Sequence, residues 1–232
     1  MVRFMVFCLL ALVWSTTEIS GLRRGDFSKV VKFPVSSSSQ FPRAVISKSL
    51  PPMDEFTLCS WLKLTSSEER EFVFFSYAVG NGGDSDEIMA SVNRTTSTTE
   101  LKIKIANQLA RLSCATFTVG NFHKVCITWT SVKGRVQFYV DEDMCSAQVN
   151  GVAVGTQVRN GGTIVLGQDQ DTVGGGFSSD QSYVGDLTQL NLFDELLDQD
   201  QIRRASTCLS KTFKYSPCCY QEDEISGNII SW

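Results

Sequence analysis

Two acidic clusters are the segments of this 232-residue chain best suited to chemistry. Asp169-Gln170-Asp171 follows the apolar run Ile164-Val165-Leu166 and precedes Gly174-Gly175-Gly176, so its carboxylates leave a strand end into a glycine-rich loop. Asp84-Ser85-Asp86-Glu87 likewise follows the turn Asn81-Gly82-Gly83. Carboxylates, amides and main-chain carbonyls on such loops suit calcium, a hard cation that takes about six to eight oxygen ligands. Either cluster alone reads as a solvated acidic loop, and the two make a site only where the fold brings them together. The single histidine, His123, excludes multi-histidine zinc sites and two-histidine iron sites.

Catalysis is not expected. No E-x-D-x-x-E strand pattern of a glycoside hydrolase and no G-x-S-x-G elbow occurs. His123 stands at a loop-to-strand transition without a neighbouring nucleophile, which makes it structural. A net charge of -4 and a pI near 5.1 leave no basic footprint for nucleic acid.

The elements that must position the acidic loops are strands. Alternation marks 71–77, 101–105, 134–140, 163–166 and 187–193, and apolar runs surround Cys59 (56–62) and Cys126 (125–129). Turns such as Asn160-Gly161-Gly162 separate them. Many short strands without intervening helices predict an all-β, two-sheet antiparallel sandwich. One short helix is expected from about Gln199 to Ala205, capped by Asp198 with Gln201 three residues on, packed outside a sheet. The Ser36 to Ser39 patch and the Thr95 to Thr99 run read as exposed loops, with an N-glycosylation sequon at Asn93-Arg94-Thr95.

The N-terminus joins Arg3, an apolar run from Phe4 to Trp14 and a small or polar exit to Ser20-Gly21. That pattern reads as a signal peptide over 1–20, leaving a single secreted domain over 21–232 with no membrane span. Without Cys8, seven cysteines remain, so one thiol stays free or serves an intermolecular bond. Cys59, Cys114 and Cys126 lie in or beside strand-like runs, whereas Cys145, Cys208, Cys218 and Cys219 read as exposed. Cys114 can pair with Cys145, and Cys208 with Cys218 or Cys219, but spacing leaves the connectivity open.

From Phe33-Pro34 to about Leu209 the chain resembles the pentraxins, a family of concanavalin- and laminin-G-like jelly rolls. Val125-Cys126-Ile127-Thr128-Trp129-Thr130-Ser131 matches the family's signature of His, any residue, Cys, any residue, Ser or Thr, Trp, any residue, Ser or Thr, except that Lys124 takes the first position. Leu166 to Asp171, Gly174-Gly175, Phe177, Gln181-Ser182 and Val184-Gly185-Asp186 follow in family order, and Phe56-Thr57-Leu58-Cys59 and Phe75-Ser76-Tyr77-Ala78 also match.

The resemblance implies a Cys59–Cys126 disulfide and two calcium ions per subunit. The ligands it implies are Asp86 with Ser85 or Asp84, Asp169 and Asp171 bridging both ions, the Gln170 carbonyl, and Gln181. Asp169 replaces the family's Glu, and Ser178 replaces an acidic ligand of the second ion, which weakens that ion unless Asp180 turns in. Ser91 stands where a hydrophobic residue packs choline methyls, and Asn107 to Arg111 supplies no carboxylate for an ammonium. The resemblance implies a secreted calcium-dependent pattern-recognition lectin of innate immunity. Its ligands are phosphocholine- or phosphoethanolamine-type groups or sugars on microbial or damaged cells, and its assembly is a cyclic homo-oligomer, typically a pentamer. The alternative is a structural or adhesive sandwich whose calcium site is degenerate or purely structural. Residues 210–232 depart from the family pattern. Trp61 and Trp129 read as core packing around the disulfide.

Overall fold

The computed structural model describes residues 30–80, 86–114, 117–141 and 143–205. The expected signal peptide, Asp84, Ser85, Cys208, Cys218, Cys219 and the segment 210–232 lie outside them. Twelve strands and one helix follow in chain order: β1 (Val30–Phe33), β2 (Ala44–Ile46), β3 (Glu55–Leu64), β4 (Glu71–Ala78), β5 (Asp86–Arg94), β6 (Thr99–Ile105), β7 (Gln108–Ser113), β8 (His123–Thr130), β9 (Arg135–Val140), β10 (Asp143–Val149), β11 (Thr163–Leu166), β12 (Gly185–Phe193) and α1 (Gln199–Arg204).

They form the expected sandwich. One sheet runs β1-β12-β3-β8-β9-β10 and the other β2-β11-β4-β5-β6-β7, with every pairing antiparallel. Between them Phe56, Leu58, Phe72, Phe74, Ile103, Ile127, Trp129, Phe138 and Leu192 are buried in one core. The alternation Leu101, Ile103 and Ile105 inward, Lys102 and Lys104 outward, shows the period-2 logic on β6. β6 passes to β7 through Ala106 and Asn107, both at positive φ, the two-residue turn whose twist suits a hairpin.

The outer face of the first sheet carries a smaller cluster. Cys59 and Cys126 lie opposite each other on β3 and β8 and are disulfide-bonded. Ile202 of α1 covers them together with Tyr139, Phe193 and Leu197. Asp198 caps the helix by accepting from the Gln201 N–H, and the Gln201 side chain accepts from the Asp198 N–H. Trp129 is core, but not around this disulfide. It lies an odd number of residues from Cys126, so it faces the inter-sheet core, packs on Phe56 and donates to the Val152 carbonyl.

A second disulfide, Cys114–Cys145, joins the end of β7 to β10 and so ties together edge strands of the two sheets. Cys145 is buried within β10 rather than exposed, because the bond draws it inward. Asn93 stands on strand β5, not in the neighbouring loop, and donates to Glu100 Oε2.

Candidate functional site

The site begins where β11 ends. Gly167 turns the chain at φ +85°, and a Cβ there would lie 2.4 Å from the Phe33 ring, so glycine is required for both conformation and space. Its N–H donates to the Phe74 carbonyl, and its carbonyl accepts from the Tyr183 N–H. One residue thereby ties both ends of the acidic loop to the sheet.

Side chains in the loop alternate in use. Gln168 donates to Ser36 Oγ and the Pro42 carbonyl. Gln170 donates to the Ser76 carbonyl, Ser76 Oγ and the Thr163 carbonyl at 3.0 to 3.1 Å, and accepts from the Gly174 N–H at 2.8 Å. With its amide spent inward, Gln170 can serve a cation only through its main-chain carbonyl.

Asp169 faces the other way. It is buried, its Oδ1 accepts from the Gln170 N–H at 2.9 Å, and its Oδ2 accepts from Gln181 Nε2 at 3.0 Å. Burial raises its pKa to about 6, aided by the charges of Asp86 and Asp171 and opposed by the Gln170 N–H and Lys104. Asp86, the first residue of β5, accepts from Lys104 Nζ at 2.7 Å. For Lys104 burial works against the ammonium, but Asp86 first, then Asp169 and Glu71, outweigh it and hold the pKa above the ordinary lysine value. The fold therefore brings Asp86, Asp169, Asp171 and Gln181 into one electrostatic unit.

Among the described residues, no group of three or more His, Cys, Asp or Glu side chains forms a preset metal cage. The oxygens that could serve a cation are mixed instead: the carboxylates of Asp86, Asp169 and Asp171, which are not gathered into one cluster, the Gln170 main-chain carbonyl and the Gln181 amide oxygen. A buried carboxylate that carries like-charged neighbours is relieved by a cation, and oxygen donors of this kind fit calcium. Ser178 Oγ accepts from the Asp180 N–H, and the Asp180 carboxylate accepts from Ser179 Oγ, so both are engaged in a local turn.

Support behind the site was not visible in the sequence. Glu87, next to Asp86, points inward, accepts from the Arg159 N–H at 3.0 Å and pairs with the Arg159 guanidinium. Tyr77 donates to the Arg159 carbonyl and accepts from the Gly162 N–H, which pins the segment that feeds β11. Ser91 is fully buried and donates to Glu71 Oε1 at 2.5 Å. The other Glu71 oxygen lies 3.5 Å from Lys102 Nζ. The period-2 pair Lys102 and Lys104 was the available sign of a charged surface here.

Elsewhere, His123 is structural: its Nδ1 lies 2.7 Å from Asp141 Oδ2 and its Nε2 accepts from the Thr118 N–H. Lys124 is buried and donates to the carbonyls of Ile202 and Arg203, at the negative end of α1.

A family model described as Pentaxin matches residues 29–232. The chain belongs to the pentraxin family. C-reactive protein 1.4 of Limulus polyphemus is 35% identical over 214 residues, covering 92% of this chain and 83% of that protein. Neuronal pentraxin-1 of Rattus norvegicus is 32% identical over 210 residues, 90% of this chain but 43% of that protein. Among solved structures, a native heptameric SAP-like pentraxin from Limulus polyphemus superposes with a TM-score of 0.75 at 26% identity, covering 88% of this chain and 87% of that one. In this pentraxin, Lys124 occupies the signature's histidine position and clamps α1 over the Cys59–Cys126 bond.

Proposed function

We propose that this pentraxin is a secreted, calcium-dependent recognition protein that binds phosphorylated or sugar ligands and does no catalysis. The observation that carries the reading is the buried Asp169 carboxylate, beside Asp86 and Asp171 and joined to Gln181. Asp86, Asp169, Asp171, the Gln170 carbonyl and the Gln181 amide oxygen would hold calcium, with Ser85 as a further ligand. Bound calcium supplies positive charge for phosphate or sugar oxygens. Gln170 and Gly167 hold the loop in place, and the Gln181 amide orients Asp169. Ser178 in place of a carboxylate makes one ion firm and the second weaker.

Two disulfides support an extracellular location, and among the described residues no helix is long and apolar enough to cross a membrane. A cyclic homo-oligomer, as the heptameric Limulus relative illustrates, would multiply weak sites into avidity. Native mass spectrometry decides between five and seven subunits.

The test is calorimetry of chelator-stripped protein with calcium, then retention on phosphoethanolamine and agarose supports with and without the ion. Uptake of one to two ions per subunit with calcium-dependent retention is expected, and both are lost in Asp169→Ala/Asp171→Ala. No uptake overturns the reading in favour of an adhesive sandwich in which Lys104 is the site's own cation.

A further inference from the structure

The acidic loop covers only part of the sheet face on which it lies. Val73 on β4 donates its N–H to the Gln181 carbonyl and bridges to Ser182, and Ser76 accepts from Gln170. On β5, Met89 and Ser91 share that outer face, being paired with Lys104 and Lys102, yet both are buried. The loop thus roofs β4 and β5 and leaves β6 and β7 open beside Asp86 and Asp169.

That open floor is basic. Lys102 and Lys104 alternate on β6 and stand roughly 7 Å apart, at two residues of strand rise. Arg111 on β7 pairs with Lys102, about 5 Å across the strands. Arg111 is exposed and makes no ion pair among the described residues. Against these three cations stand Glu71, shared between Ser91 and Lys102, and Asp86. Glu100, one row further, accepts from Asn93. If Asp86 is committed to a metal ion, Lys104 is released toward the ligand side, and positive charge exceeds negative on the floor.

We infer that Lys102, Lys104 and Arg111 form a subsite for a second anionic group, so the preferred ligand carries two anions a few ångströms apart, one at the acidic loop and one on the β6–β7 floor. This rests on the calcium reading above. A zwitterion that ends in an ammonium would place its cation against two lysines and an arginine; among the described residues the floor offers it no aromatic face or unpaired carboxylate, only the exposed Leu109 opposite Lys104. A terminal carboxylate, sulfate or phosphate instead meets charge-assisted hydrogen bonds, with Arg111 able to take it in bidentate fashion.

Competition calorimetry in calcium with inorganic phosphate, phosphocholine and 3-phosphooxypropanoate tests the inference. The carboxylate-ended compound is expected to bind at least about tenfold more tightly than phosphocholine. Lys102→Met/Arg111→Gln should bring that ratio close to one, and because the ratio is internal to each protein, a general loss of affinity cancels. Phosphocholine binding as tightly as the dianion, or a ratio unmoved by the double substitution, overturns the subsite and leaves calcium-dependent phosphate binding standing. Absence of calcium-dependent phosphate binding overturns both.

Discussion

Replacing Asp169 by Asn should make the metal-free protein more stable while removing its response to calcium. In the folded chain the Asp169 carboxyl is pushed up from an ordinary 3.8 to about 6, chiefly because it is buried and next because Asp86 is close. The folded state therefore keeps a proton that the unfolded state gives up between those values. Stability in chelator falls as pH rises from about 4 to about 6 and is flat above. About two pH steps at about 1.36 kcal/mol each make the cost at pH 7 about 3 kcal/mol. Asparagine removes the charge at nearly equal volume. Its oxygen still accepts from the Gln170 N–H, and Gln181 can turn its amide to meet the new NH2, so about 2 kcal/mol of the cost should be recovered.

For a chain of this length that gain is about 4 to 8 °C in midpoint. Differential scanning calorimetry at pH 7.4 in EDTA reads it directly. Calcium at about a hundred times its dissociation constant should then raise the native protein by about 2.7 kcal/mol and the variant by almost nothing, so the order of stability reverses. The native protein's own pH profile gives a second check, since calcium at that concentration should nearly flatten the fall between pH 4 and 6, its about 2.7 kcal/mol offsetting most of the about 3 kcal/mol lost as Asp169 ionises. A variant that melts at or below the native protein in EDTA, or one that keeps the full calcium response, would refute the charge-starved reading of Asp169.

Two other substitutions probe the frame. Lys124→Met removes the ammonium that holds the Ile202 and Arg203 carbonyls and should cost about 2 to 3 kcal/mol, with the Cys59–Cys126 bond reduced faster by dithiothreitol. Cys114→Ser/Cys145→Ser opens a loop of 31 residues and should cost about 3 to 4 kcal/mol in urea unfolding, with amide exchange rising most in β7 and β10.

The sandwich was legible because alternation is a local signal: strands at 71–77, 101–105 and 163–166 lie within a residue or two of β4, β6 and β11. The helix was legible because Asp198 and Gln201 carry its cap in four residues. β5 was hidden, since Glu87 to Val92 is buried on both faces, by the core inside and the acidic loop outside, and shows no alternation. Cys145 misled for the same kind of reason: its polar neighbours say exposed, and only a bond to Cys114 explains its burial. Within the site, Asp86, Asp169, Asp171 and Gln181 could be named from family resemblance. The Glu87–Arg159–Tyr77 support and the role of Lys104 could not, because they join residues between about twenty and eighty apart.

The two sheets divide the work. The first carries the Cys59–Cys126 bond and its helical cover, and the acidic loop lies on the second, held by Gly167, Gln170 and the Tyr77–Arg159–Glu87 contacts. No disulfide among the described residues touches that loop, so it can respond to an ion without straining a covalent link. The floor beside it is different. β7 is an edge strand, and edge strands fray unless something holds them. Cys114, three residues beyond Arg111, fastens β7 to β10 of the other sheet. The adaptable half of the site thus rests on hydrogen bonds, and the half that would choose the ligand rests on a strand clamped at its end. On the calcium reading proposed above, cation binding would adjust the acidic loop while Arg111 and Lys102 keep their spacing.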